Sequence, residues 1–299
     1  MRILISGASG FIGRSLVSFF SGKQHEVVSL YHEMTASGEI SWRTGNGSSL
    51  EDFGAAIHLA GEPLSLERWS EKKRQTIFVS RAEGTSSLCH AFARLCRPPP
   101  VFISASAVGF YGNRKEELLD ERSAPGKGFL AHVCSAWEQG ARSLDSRGAR
   151  TVQARFGMVL GPNGGPLAKL DGLYRLGLGG KLSTGEQWIS WVALTDLVSA
   201  LDHILRSESL QGPVNIVSPH AVRQKEFSRR LAQSLHRPAF FHLPAWLLRL
   251  RFGIMADEIL LASARVVPQK LCASGFRFKY PDLEEAFHAI YSSSNYREF

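Results

Sequence analysis

One stretch constrains this chain more than any other: Gly7-Ala8-Ser9-Gly10-Phe11-Ile12-Gly13, preceded by the apolar run 2–6 and followed by an apolar-periodic segment over 11–20. A glycine turn that leaves a buried strand and opens a helix is the arrangement a dinucleotide needs. Glycine permits the tight turn and lets backbone N–H groups approach a pyrophosphate, while the helix N-terminus meets the phosphate charge. Gly7, Gly10 and Gly13 are therefore read as cofactor-binding, against the alternative of a merely structural turn.

The segments that follow alternate. Strand-like runs at 26–31, 55–60, 101–106, 150–155 and 213–217 are separated by helical patterns at 70–96, 129–146 and 196–206. Ser70 and Thr195 are the expected helix N-caps, and Pro98–Pro100 stop the first long helix. This order predicts an α/β fold, a Rossmann-type doubly wound parallel sheet with helices on both faces. After about residue 156 the texture changes. Gly157, Gly161, Gly164 and Gly165, and four more glycines over 177–185, read as loops. From 223 the pattern is helical and basic, 238–244 reads as extended, 257–264 and 282–291 as helical, and the last eight residues as frayed. The expected organisation is a dinucleotide-binding domain over 1–220 and a small C-terminal substrate-side lobe. That lobe draws on 166–193 and 221–291, with 246–291 as its own small domain.

Composition removes other classes. Of 299 residues, 44% are hydrophobic and 21% charged, which excludes disorder, collagen and coiled coil as global descriptions. No stretch approaches the roughly 18 apolar residues that span a bilayer. The first residues lack a signal-peptide pattern, so a cytoplasmic protein is expected. The four cysteines form no C-x-x-C pair and the histidines no H-E-x-x-H, so neither a disulfide framework nor a metal site is expected. The net charge of +8 fits an acidic small ligand such as a phosphate-bearing cofactor better than nucleic acid. The basic-aromatic stretch 223–251 admits nucleic-acid or membrane contact, but a helix with one wet basic face followed by a docking segment accounts for it as well. No nucleic-acid or membrane partner is expected.

The end of the second strand usually sets cofactor choice, and here reads Tyr31-His32-Glu33. The signal is split: His32 can help hold the extra phosphate of NADP, whereas Glu33 opposes one. Residues 58–62, His-Leu-Ala-Gly-Glu, lie at the carboxyl end of a strand, where open parallel sheets bind ligands. Gly61 lets the backbone pass close to a cofactor, Glu62 is a plausible polar site group, and His58 reads as a packed strand histidine.

Together GASGFIG, HLAGE, Arg68-Trp69, SRAEGT at 80–85, SASAVGFYG at 104–112, RFGMVLG at 155–161, GEQWISW at 185–191, RVVPQKL at 265–271 and GFRFKYPDLEEAF at 275–287 carry a resemblance. The chain resembles the epimerase-like, atypical short-chain dehydrogenase/reductases of the "epimerase family protein" group over about residues 1–291. Its part from 246 to 291 is similar to that group's C-terminal domain of unknown function. The resemblance implies NADP(H), rather than NAD(H), as cofactor. It places Gly7, Gly10, Phe11, Ile12 and Gly13 at the diphosphate, Tyr31 and His32 at the ribose end, and Leu59, Ala60 and Gly61 on the adenine side. Arg81 and Ser104 become cofactor-contacting positions, and Val159 lies in the loop past the nicotinamide. His32 stands where the group usually has Arg. Ala193 and Thr195 replace its usual His and Asp.

Ordinary superfamily members use Tyr-x-x-x-Lys on one helix face, the ammonium lowering the phenol's pKa for proton exchange. Aligned on Glu138, those positions are Leu130 and Cys134, neither of which does that chemistry. Ser106 matches the superfamily serine. A literal Tyr111-x-x-x-Lys115 lies directly after a strand, with Gly112 and Asn113 between, and reads as a chance pair. Tyr111 alone is the best substitute acid, with Ser106 orienting substrate and Glu62 in reserve. Two functions stay open: an NADP(H)-dependent oxidoreductase or epimerase-like enzyme on an unidentified small molecule, and a non-catalytic dinucleotide-sensing protein. By superfamily analogy the two long helices offer a homodimer face.

Overall fold

The computed structural model describes residues 1–34, 40–47 and 49–292. The run Ile3-Leu4-Ile5 makes β1 (Arg2–Ser6) apolar on both faces, which is only stable with strands on both sides and helices above and below. The sheet supplies that setting. The remaining strands are β2 (Glu26–Met34), β3 (Ile40–Thr44), β4 (Ala55–His58), β5 (Val101–Ala107), β6 (Arg150–Phe156) and β7 (Gly212–Ile216). Their order is β7-β6-β5-β4-β1-β2-β3. All pairs are parallel except β2 with β3, which returns antiparallel along the edge. The order reverses at β1, between β2 and β4, where such sheets open a crevice. The fold class expected from the sequence is therefore present. The antiparallel β3 went unread because 40–44 lacks a long apolar run.

Both faces are covered. Ile3, Ile5, Ile57, Ile103 and Val152 pack under α1 (Phe11–Gly22) and α6 (Leu194–Arg206). On the other face Leu4 and Phe102 meet Leu88, Cys89 and Phe92 of α3 (Gly84–Ala93). The long helix read at 70–96 begins as expected, with the Ser70 hydroxyl accepting from Lys73 N–H. It runs as α2 (Glu71–Phe78), a π-helical turn at Val79–Glu83, and α3. α4 (Phe129–Ala141) passes into a 3₁₀ turn at Arg142–Arg147.

Three local expectations fail for identifiable reasons. Thr195 does not cap α6: the helix starts two residues earlier than expected, Ala193 is its N-cap without a side-chain bond, and Thr195 lies inside the first turn. The glycine-rich 157–165 is not all loop. Met158–Leu160 pairs in parallel with Trp191–Ala193, and α5 (Gly165–Arg175) opens on Pro166, whose fixed φ suits a first helical turn. Residues 245–252 form α8 (Ala245–Phe252), and the helix read at 257–264 shrinks to a π turn at Ala256–Leu260. The C-terminal 293–299 lie outside the described residues.

A second core of Trp191, Phe227, Leu231 and Phe287 joins α7 (Gln224–Ser234) to the last helix, Leu283–Ser292. Carboxylates fasten this lobe to the sheet unit. Asp196 accepts from Lys279 and Tyr280 N–H at 2.7 and 2.9 Å. Glu258 caps α4 through Phe129 and Leu130 N–H at 2.8 and 2.9 Å. Glu121 accepts from Asn215 and Lys270 N–H. Among the described residues no helix is long and apolar enough to cross a membrane.

Candidate functional site at the carboxyl ends of the sheet

The glycine turn is held by backbone packing. Gly7 has φ +68°, and a Cβ there would lie 2.9 Å from the Leu59 carbonyl carbon and 3.0 Å from Ala60 N. Ser6 Oγ accepts from Leu59 and Ala60 N–H at 3.0 and 3.2 Å, lacing the end of β1 to the exit of β4. At Gly13 a Cβ would sit 2.1 Å from Gly7 O, so Gly13 serves helix-to-turn packing rather than space for a ligand. Gly10 is different. It is exposed, has φ −75°, and its Cβ would meet only Gly7 O at 3.2 Å. α1 has no side-chain cap and no acidic residue in its first turn, so its positive end is left for an outside anion.

Phe11 faces inward from this turn. Cβ atoms added at Gly161, Gly164 and Gly165 would each approach its ring to between 2.3 and 3.0 Å. Three glycines after β6 thus form a cradle for one aromatic ring, which commits the Phe11 side chain to packing. Ile12 packs on the sheet core, and Val159 is buried in the short strand opposite Val192.

Tyr31 and His32 are exposed at the end of β2, opposite Arg43 and Trp42 of β3. The Trp42 ring lies between His32, at 5.4 Å, and His58, at 5.5 Å. His58 is buried, with Nδ1 2.6 Å from Ser6 Oγ. Burial first, and the nearby His32 second, push its pKa down to about 3, so it stays neutral, as a packed strand histidine does. The Glu33 side chain lies outside the described residues.

The exit of β4 carries a second polar cluster. The π turn points Arg81 back at residues 61–62: its Nη1 donates to Glu62 O at 2.9 Å, and its guanidinium lies 5.3 Å from the Trp137 ring centre. A Cβ on Gly61 would touch Arg81 at 3.4 Å. Glu62 Oε1 accepts from Lys73 Nζ at 2.6 Å, and both groups keep part of their surface in solvent.

Two of the three groups expected to act on a substrate, Ser106 and Tyr111, have gone inside, and so has Ser104, expected as a cofactor contact. Ser104 and Ser106 point to the α4 face of β5 and are buried. Ser106 Oγ donates to Glu138 Oε1 at 2.7 Å. Glu138 also holds Arg155 of β6 in a two-bond fork, Nε to Oε1 at 2.7 Å and Nη2 to Oε2 at 2.8 Å. Arg155 Nη1 donates to the Tyr111 hydroxyl at 2.8 Å, and that hydroxyl lies 2.7 Å from Asn215 Oδ1 and 2.9 Å from Asp120 O. Tyr111 is 0% exposed, and burial, only partly opposed by Arg155, pushes its phenol up to about 12. The expectation that Tyr111 faces a substrate is corrected: its hydroxyl is engaged on every side within the protein. Lys115 lies beyond the 3₁₀ turn Val108–Tyr111 with φ +53°, off any helix, so the literal Tyr-x-x-x-Lys is a chance pair. Leu130 and Cys134 are buried, and a Cβ on Gly109 would meet both, at 3.4 and 3.7 Å. The 3₁₀ turn thus covers the helix face where the superfamily pair would stand.

Sequence reasoning missed Arg155, Glu138 and Asn215 as one buried network. The signal was an arginine at an inward position of an apolar strand, with a carboxylate on the helix that covers it.

Residues 3–217 match the NAD dependent epimerase/dehydratase family, and 243–290 match a domain of unknown function. An epimerase family protein of Mycobacterium bovis is 37% identical over 289 residues, 95% of each chain. The human epimerase family protein SDR39U1 is 33% identical over 293 residues, 97% of this chain and 99% of that one. Its crystal structure with NADPH superposes with a TM-score of 0.88 at 30% identity, covering 98% of this chain and 100% of that chain. A Thermus thermophilus UDP-glucose 4-epimerase solved with NAD shares the fold, with a TM-score of 0.74 at 21% identity and 98% coverage of both chains. With a family match over more than half its length, and relatives above 30% identity along nearly all of it, the chain belongs to the NAD-dependent epimerase/dehydratase family.

Proposed function

We propose that the chain binds NADP(H) in the crevice outside the ends of β1, β4 and β5, and works as an NADP(H)-dependent oxidoreductase of the epimerase-like kind on a small molecule. The observation that carries the reading is the Gly7–Gly13 turn. Gly7 and Gly13 are consumed by backbone packing, whereas Gly10 faces outward beside the uncapped positive end of α1. That arrangement fits a diphosphate. Leu59, Ala60 and Gly61 offer backbone along the adenine side, and Arg81 fixes the loop they belong to. The NADPH in the human relative and the exposed His32 at the ribose end support NADP(H) over NAD(H).

When bound, the nicotinamide supplies hydride chemistry. The protein's part is to hold the ring, exclude water and manage one proton. Leu130 and Cys134 cannot move it, and Tyr111 and Ser106 are locked in the network around Arg155. Glu62, paired with Lys73 and open to solvent, is the remaining acid–base group at the mouth of β4. The locked network equally favours a second reading, a dinucleotide-responsive protein without turnover.

NADPH and NADH titrations followed by cofactor fluorescence test binding: NADPH is expected to bind more tightly, and Gly10→Val to abolish binding with the fold intact. Tighter NADH binding would refute the NADP(H) reading. Loss of deuterium from C4-labelled NADPH, measured against a panel of carbonyl compounds, separates the two functions. Turnover that falls at least tenfold in Glu62→Gln supports the enzyme. Binding with no deuterium loss across the panel favours the sensor.

A further inference from the structure

The segment after α7 docks on Gly180–Leu182 through Phe241–Leu243, yet it leaves several large apolar side chains in solvent. Among the described residues, nine of the thirteen exposed large apolar side chains fall within 173–178 and 240–254. Scattered exposure is ordinary, but a cluster of this kind marks an interaction surface. Phe240 is 89% exposed, Leu176 75%, and Trp246 and Leu250 65% each. They lie on connected elements. Phe241–Leu243 pairs in parallel with Gly180–Leu182, Gly177 abuts Pro238, and the strand runs through Pro244 directly into α8.

The charges that line the groove beside Phe240 are mostly positive. A groove of about 800 Å³ is lined by Phe240 and Phe241 together with Lys181, Lys225, Arg229 and Arg237. Its single lining carboxylate, Glu226, is paired with Arg230 at 2.7 Å. Residues 237–251 hold three arginines and no acid. A second copy of the chain meeting this face symmetrically would set these cations against themselves, which is unfavourable. An apolar surface overlaid with negative charge complements it on both counts.

We propose that this face is a peripheral docking surface for an anionic phospholipid membrane. The aromatic and leucine side chains enter the headgroup–acyl boundary, and Lys181, Arg229 and Arg237 lie over the phosphates. The face is separate from the dinucleotide crevice, since none of its residues belongs to the glycine turn or to 58–62.

Sedimentation of the full chain with vesicles, in physiological salt, tests this. Binding is expected with vesicles of equal parts phosphatidylcholine and phosphatidylglycerol and not with phosphatidylcholine alone. Each cation near an anionic leaflet is worth about fivefold in partitioning, so Lys181→Glu with Arg237→Glu is expected to weaken it about 25-fold or more. Phe240→Ser with Trp246→Ser is expected to weaken it at least about tenfold. Both pairs of positions are on the surface, so NADPH titration of the same variants, expected at the wild-type value, verifies the fold. Sedimentation with neither vesicle, equal sedimentation with both, or variants that pellet like wild type would overturn the proposal. So would a dimer abolished by Phe240→Ser with Trp246→Ser, which assigns the face to a second copy, or retention by RNA without vesicle binding.

Discussion

Removing Glu138 is expected to do more harm than removing both halves of its ion pair. Glu138→Ala takes away both carboxylate contacts of Arg155 and the acceptor of Ser106, yet leaves the guanidinium 2% exposed in the sheet. Breaking a buried pair from one side costs about 3–5 kcal/mol, because a charge is stranded without water. Alanine is a strong helix former, so α4 itself loses nothing. At roughly 2–4 °C per kcal/mol for a large domain, the melting temperature should fall by about 10 °C. Arg155→Met with Glu138→Leu removes both charges while keeping volume, and such exchanges are often close to neutral. Urea and thermal unfolding followed by circular dichroism measure all three proteins. A Glu138→Ala loss within about 1 kcal/mol of wild type, or a double variant less stable than the single one, would refute the claim that pairing, rather than volume, holds this site.

Three further outcomes are expected. Gly10→Val should lose NADPH binding at only a small cost in stability, its Cβ meeting Gly7 O at 3.2 Å. Gly13→Val should lose stability first, because its Cβ collides with Gly7 O; equal melting temperatures for the two would contradict this division of labour. Tyr111→Phe should cost about 1–3 kcal/mol of stability by taking the hydroxyl from Arg155 Nη1 and Asn215 Oδ1, and unchanged urea unfolding would count against the network. His58 is neutral in the fold and has an ordinary pKa of 6.5 when unfolded, so its contribution is complete above pH 6.5 and is lost as pH falls toward about 3. By pH 5 the loss is about 2 kcal/mol, and His58→Gln should flatten that part of the stability–pH curve.

The sheet was legible because its signals are local. Ile3-Leu4-Ile5, the glycines at 7, 10 and 13, and the Ser70 cap each act on residues a few positions away. The site was legible only where it is made of backbone, as at Gly7 against Leu59. What stayed hidden depends on long-range partners. Tyr111 reads as an available phenol until Arg155, 44 residues on, and Asn215, 104 residues on, are seen to engage it. The glycines at 161, 164 and 165 read as loop because the ring of Phe11, which excludes side chains there, lies in a segment about 150 residues earlier in the chain.

That ring has a consequence for how the chain can change over evolutionary time. Phe11 and Gly161, Gly164 and Gly165 share one volume, so no single substitution among them is free. A side chain at 164 needs a smaller residue at 11, and a smaller residue at 11 opens a void that a side chain at 164 can fill. The order of steps then matters. Shrinking position 11 first leaves a cavity that a later substitution repairs, whereas enlarging position 164 first forces a Cβ to 2.3 Å from the ring. Descendants of this sequence can leave the phenylalanine-and-glycines arrangement by the first route and not by the second.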